Sequence, residues 1–97
     1  MNKQEHLLVC MAEECSEIQH AIAKALRFGV DDHGHSERPT NRVQLRAEFN
    51  DLLAVAEMLE EHGFNFEPSR IDIAAKKKRV AEYMEYASGN GTLTPNA

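Results

Sequence analysis

Two short acidic strings carry the most legible chemistry in this chain: Glu13-Glu14-Cys15-Ser16-Glu17 and Glu48-Phe49-Asn50-Asp51. In each, two carboxylates stand three residues apart, so on a helix they lie on neighbouring turns of one side. Steps of about 100° per residue from Glu14 put Leu7, Ile18 and Ala25 at roughly +20° to +40°, and Met11 and Ile22 at roughly +60° to +80°. Glu14 therefore borders an apolar stripe, and Glu17 lies about 60° outside it. From Glu48 the same steps put Leu52 and Leu59 at roughly +20° to +40°, and Leu45 and Ala56 at roughly +60° to +80°, with Asp51 outside. A lone pair of this kind is ordinarily solvated decoration, because glutamate favours helices and exposed faces. Two pairs on the same shoulder mean more. If the stripes pack together, four carboxylates converge, and their mutual repulsion calls for a cation among them. All-oxygen ligation selects magnesium, with manganese as a substitute, over zinc.

The elements that must position these acids are marked by proline and glycine. Residues from Lys3 to Phe28 contain neither, Asn2 is a suitable N-cap, and Gly29 stops the run. Gly29 to Thr40 is polar, contains Gly34 and Pro39, and reads as a loop. Thr40 or Asn41 can cap a second helix reaching about His62, closed by Gly63. Ser69, with Asp72 three residues on, starts a third helix running to about Ala87. No segment alternates with period two, so no strand is expected. The expected fold is all-α: two long antiparallel helices and a third, in a helical bundle spanning 1–87, with a loose tail over 88–97.

Bulk properties narrow the function classes. A chain of 97 residues is one small domain, and helices this long leave apolar surface for a second copy to cover. A net charge of −5 argues against nucleic acid as a partner. Cys10 and Cys15 point from different faces of one helix, so they read as free thiols of a reducing, cytoplasmic protein. No apolar run is long enough for a signal peptide or a membrane span.

The strings AEECSEIQHAIAKALRFG and LRAEFNDLLAVAEML resemble the MazG-like all-α nucleoside triphosphate pyrophosphohydrolases, a superfamily that also holds dimeric dUTPases and phosphoribosyl-ATP pyrophosphohydrolases. The resemblance rests on EExxE in one helix and ExxD in the next, and covers roughly residues 7 to 60. It implies that Glu14, Glu17, Glu48 and Asp51 are the catalytic magnesium ligands. It also implies a homodimer or homotetramer whose four-helix core is completed by dimerisation. The activity implied is Mg-dependent hydrolysis of a (d)NTP to the monophosphate and pyrophosphate, in nucleotide-pool or house-cleaning work. The chain departs from the pattern in the long connection between the motifs, which contains DDHGHSERPT.

A triphosphate also needs protein cations. Lys24 lies two turns beyond Glu17 on nearly the same line, and Lys76 and Lys77 sit at or inside the apolar stripe of the third helix, so these three are the candidate substrate-binding residues. Arg27 points elsewhere. Lysines of this kind also snorkel from apolar faces without touching a ligand. Asp31, Asp32, His33 and His35 lack the ordered spacing of a metal site and read as solvated loop. Phe28, Phe49, Phe64 and Phe66 read as packing residues. The rival from another class is a non-catalytic helical dimerisation module, or a nucleotide sensor, on the same fold.

Overall fold

The computed structural model describes residues 1–94. Among them are three α-helices and no strand: α1 Lys3–Phe28, α2 Asn41–Glu60 and α3 Arg70–Gly89. The chain divides into two compact units, Met1–Phe66 and the residues from Glu67 onward.

Local chemistry fixes the helix ends. Asn2 accepts from the Glu5 N–H while the Glu5 side chain accepts from the Asn2 N–H, a reciprocal capping box. Gly29, at φ 102°, ends α1 in a conformation that side chains disfavour. Thr40, rather than Asn41, caps α2 by accepting from the Val43 N–H. α2 stops at Glu60, short of His62, and the following turn passes through Gly63 at φ 96°.

α1 and α2 pack together as an antiparallel hairpin. Gln4 near the start of α1 donates to the His62 carbonyl beyond the end of α2, while the Asn41 side chain at the start of α2 donates to the Gly29 carbonyl past the end of α1. The inward residues follow a 4-3 spacing. On α1 they are Leu7, Met11, Glu14, Ile18, Ala21 and Ala25; on α2 they are Asn41, Leu45, Glu48, Leu52, Val55 and Leu59. This is the seam of a coiled-coil-like pair. Ile22, expected in the stripe, is exposed, and Ala21 takes the inward place. A narrow 3.5-residue seam selects one residue per half-heptad, which a straight 3.6-residue projection blurs.

Only Leu7, Ala25 and Leu59 are buried apolar residues among those described, with Leu59 fully inaccessible. Phe28 and Phe49 are not packing residues as expected: both are more than half exposed. Phe64 and Phe66 do stack on each other, with ring centroids 5.9 Å apart.

The loop between the helices is held by its own backbone and side chains. Asn41 N–H donates to Asp32 O and Arg42 N–H to Val30 O. Arg42 and Asp31 form an exposed ion pair at 3.1 Å, and Gln44 donates to the Pro39 carbonyl. Asn41 is only 2% accessible, the one buried polar side chain among the described residues.

In the second unit, Ser69 caps α3 by accepting from the Asp72 N–H. α3 runs to Gly89, two residues past the expected end. Its C-terminus is closed by Thr92, whose N–H and hydroxyl both donate to the Ala87 carbonyl. The expected loose tail of 88–97 lies in part outside the described residues.

Candidate functional site: an acidic group on the helix hairpin

Glu14 and Glu48 occupy seam positions that the heptad pattern, Asn41 at the loop end apart, otherwise fills with apolar residues. Each is half-buried where a leucine would be unremarkable. Asp51, one turn on from Glu48, is exposed at the seam's edge. Carboxylate oxygens of these three residues all lie within 4.8 Å of one another. Two helices therefore aim three negative groups at one spot. The cost falls on Glu14: desolvation first, then the charges of Asp51, Glu48, Glu17 and Glu13, hold its carboxyl above the ordinary value of 4.5.

Glu17 is not in this group of three. It stands one turn further along α1, exposed, and lines a neighbouring polar cleft of about 200 Å³ with Glu48. His20 and Lys24 from α1 and Gln44 from α2 complete that cleft beside Asn41. Lys24 thus opens onto the same cleft as two of the acids, through the two-turn spacing that placed it on Glu17's line. His20 and Gln44 carry no sequence pattern that singles them out. Each enters the cleft only because the antiparallel register sets the Glu17–Lys24 stretch beside the Asn41–Glu48 stretch.

Lys76 and Lys77 are exposed on α3, in the second unit. Glu13 is exposed and has a part only through its charge on Glu14. Asp31, Asp32, His33 and His35 assemble no ligand group among the described residues: Asp31 pairs with Arg42, Asp32 accepts from the Gly34 N–H, and His33 Nδ1 lies 3.0 Å from the Ser36 carbonyl. Cys10 and Cys15 are free. Tyr83 and Tyr86 are exposed and border a shallow cavity on α3 with Arg79 and Glu82. A cavity of about 500 Å³ lies at the opposite end of the hairpin between Met1, His6, Leu7, Met58 and His62, and no acidic side chain lines it.

Three carboxylates and no nitrogen or sulfur donor make a hard, anionic set suited to a divalent cation of the magnesium class. The same set, without a cation, is a patch of mutual repulsion. No helix among the described residues is long and apolar enough to cross a membrane. No family model matches the chain, and comparisons with curated proteins and with solved structures gave no match.

Proposed function

We propose that this chain is a magnesium-dependent nucleoside triphosphate pyrophosphohydrolase. The observation that carries the reading is the meeting of Glu14, Glu48 and Asp51 at seam positions of two helices, beside a cleft that also holds Lys24. The resemblance of EExxE and ExxD to the MazG-like enzymes supports it.

Glu14, Glu48 and Asp51 would hold the cation, with Glu17 on the cleft side able to share it. Magnesium held by these residues would supply neutralisation of the phosphate charge and a more acidic water near neutral pH. Lys24 neutralises charge on the phosphate chain, and a carboxylate left free of the cation accepts the proton of the attacking water. Attack at the α-phosphorus breaks the α–β bridge and releases pyrophosphate, with most of the rate enhancement coming from positioning and charge.

The test is incubation of the full chain with magnesium and a panel of common and modified nucleoside triphosphates, scored for pyrophosphate and monophosphate. Glu48→Gln should lower turnover by at least about a hundredfold. Release of inorganic phosphate with a nucleoside diphosphate would contradict the cleavage point.

The second reading, a non-catalytic dimerisation module, draws on the apolar residues exposed on both helices, among them Leu8, Ile22 and Leu26 on α1 and Phe49 and Leu53 on α2. The enzyme reading absorbs this observation, since a second copy covering those residues gives the homodimer, or homotetramer, that so small a core needs.

A further inference from the structure

The polar cleft between α1 and α2 has one wall that can only accept hydrogen bonds. Asn41, Gln44 and Glu48 follow one another on one face of α2 at a 3-4 spacing, and all three line the cleft. The Asn41 side chain donates to the Gly29 carbonyl at 2.9 Å, and the Gln44 side chain to the Pro39 carbonyl at 2.7 Å. A backbone carbonyl has no proton to give, so each amide turns its NH2 to the loop and neither can flip. Asn41 Oδ1 and Gln44 Oε1 are the atoms left over, on the same face as the Glu48 carboxylate.

Neither oxygen has a hydrogen-bond partner among the described residues. Neither is sealed off, because Arg38 Nη1 is the only polar side-chain atom among the described residues that is both buried and unpartnered. Asn41 keeps 2% of its surface and lines the cleft, so that remnant opens there.

The backbone of this wall offers no donor. The first four N–H groups of α2 are all taken: Asn41 by Asp32, Arg42 by Val30, and Val43 and Gln44 by the hydroxyl and carbonyl of Thr40. A helix start that would ordinarily attract phosphate is therefore closed to it. The cation ligands gather at the other end, around Glu14, Glu48 and Asp51. Phosphates that follow the cation stay at that end, and Gln44 stands one turn, about 6 Å, further towards the loop. What reaches Gln44 and Asn41 is the part of the ligand beyond the α-phosphate, and it must carry donors. With Glu17 and Glu48 committed to the cation, Lys24 is the charge that remains in the cleft, and it disfavours a second cation, so the donors are neutral. The volume of about 200 Å³ is below that of a pocket for a whole small ligand, and Ala21 is the only apolar side chain lining it. A hydroxylated ring suits such a space better than a base.

We infer that the Asn41–Gln44 wall receives the ribose of the nucleotide. Gln44 Oε1 and Asn41 Oδ1 accept from its 2′- and 3′-hydroxyls, so the chain prefers ribonucleotides to deoxynucleotides. Naming the donor group as a sugar rests on the nucleotide reading proposed above; the acceptor-only wall does not.

The test measures binding of the full chain, with magnesium, to three α,β-methylene triphosphates, whose carbon bridge replaces the oxygen that hydrolysis would release. They carry adenosine, 2′-deoxyadenosine and 2′,3′-dideoxyadenosine, and differ only in their hydroxyls. Calorimetry should rank them in that order, the first binding about tenfold more tightly than the last. The side-chain NH2 resonances of Asn41 and Gln44 should shift with the first far more than with the last. Gln44→Met, close in size and without an amide oxygen, should cut the tenfold ratio to about threefold. Equal affinities in the wild type, a ratio unchanged in Gln44→Met, or no binding of any of the three overturns the inference. Turnover is read separately, on the natural triphosphates. A chain that ranks the analogues this way yet releases no pyrophosphate keeps the sugar site and loses the hydrolase, and pyrophosphate release with equal affinities does the reverse.

Discussion

At the residue scale, Glu14 concentrates the strain of the site. Its carboxyl binds a proton more tightly in the folded hairpin than in the unfolded chain. The folded state therefore holds more protons just above pH 4.5, and its stability falls as pH rises from there through the raised value. Thermal melts of metal-free protein should show that decline, and Glu14→Gln should flatten it while raising the melting temperature at neutral pH. Millimolar magnesium should do the same for the wild type, by binding the folded state alone. Calorimetry across pH, with and without magnesium, checks both, and a wild-type melt indifferent to magnesium would count against the metal site. The sequence makes Glu14 and Glu48 legible because they border the stripes, and Lys24 because it repeats the line of Glu17. The burial of Asn41 is not legible, since a polar residue beside a polar loop has no period, and it depends on a bond to the Gly29 carbonyl that only the folded loop creates.

At the element scale, the α1–α2 hairpin depends on its closed end as much as on its seam. The Asn41 side chain donates to Gly29 at 2.9 Å while its own N–H donates to Asp32, so one buried residue holds both sides of the loop. Asn41→Ala should cost about 1–3 kcal/mol, because it removes a buried side chain together with its bond to the Gly29 carbonyl, which then keeps only the 3.3 Å bond from the Asp32 N–H. Thr40→Ala should cost about 1 kcal/mol through the lost cap. Urea melts of the two variants should rank them in that order. The three helices and their breaks at Gly29 and Ser69 follow from composition, since proline and glycine leave few choices. Which of Ile22 and Ala21 turns inward does not follow, because it is decided by the supercoiled seam rather than by hydrophobicity.

At the scale of the whole molecule, the apolar residues left exposed on α1 and α2 make self-association the expected state. Ile22 and Leu26 are one turn apart on α1, as are Phe49 and Leu53 on α2, so each pair forms a short apolar ridge. Sedimentation should give a dimer or tetramer mass, and Leu53→Glu should shift it towards monomer with a lower, concentration-dependent melting temperature. A wild-type monomer at all concentrations would remove the four-helix core from the proposal. The acids at the seam carry a separate implication for assembly. A helix pair with leucine at every inward position can slide by one heptad and still bury grease against grease. Here, such a slip would part Glu14 from Glu48 and Asp51, so the group that a shared divalent ion would bridge exists in one alignment alone. With an ion between them the two charged notches would act as a ruler along the hairpin, favouring a single alignment at the expense of some cohesion, and replacing both with leucine should give a sturdier pair that no longer knows its own register.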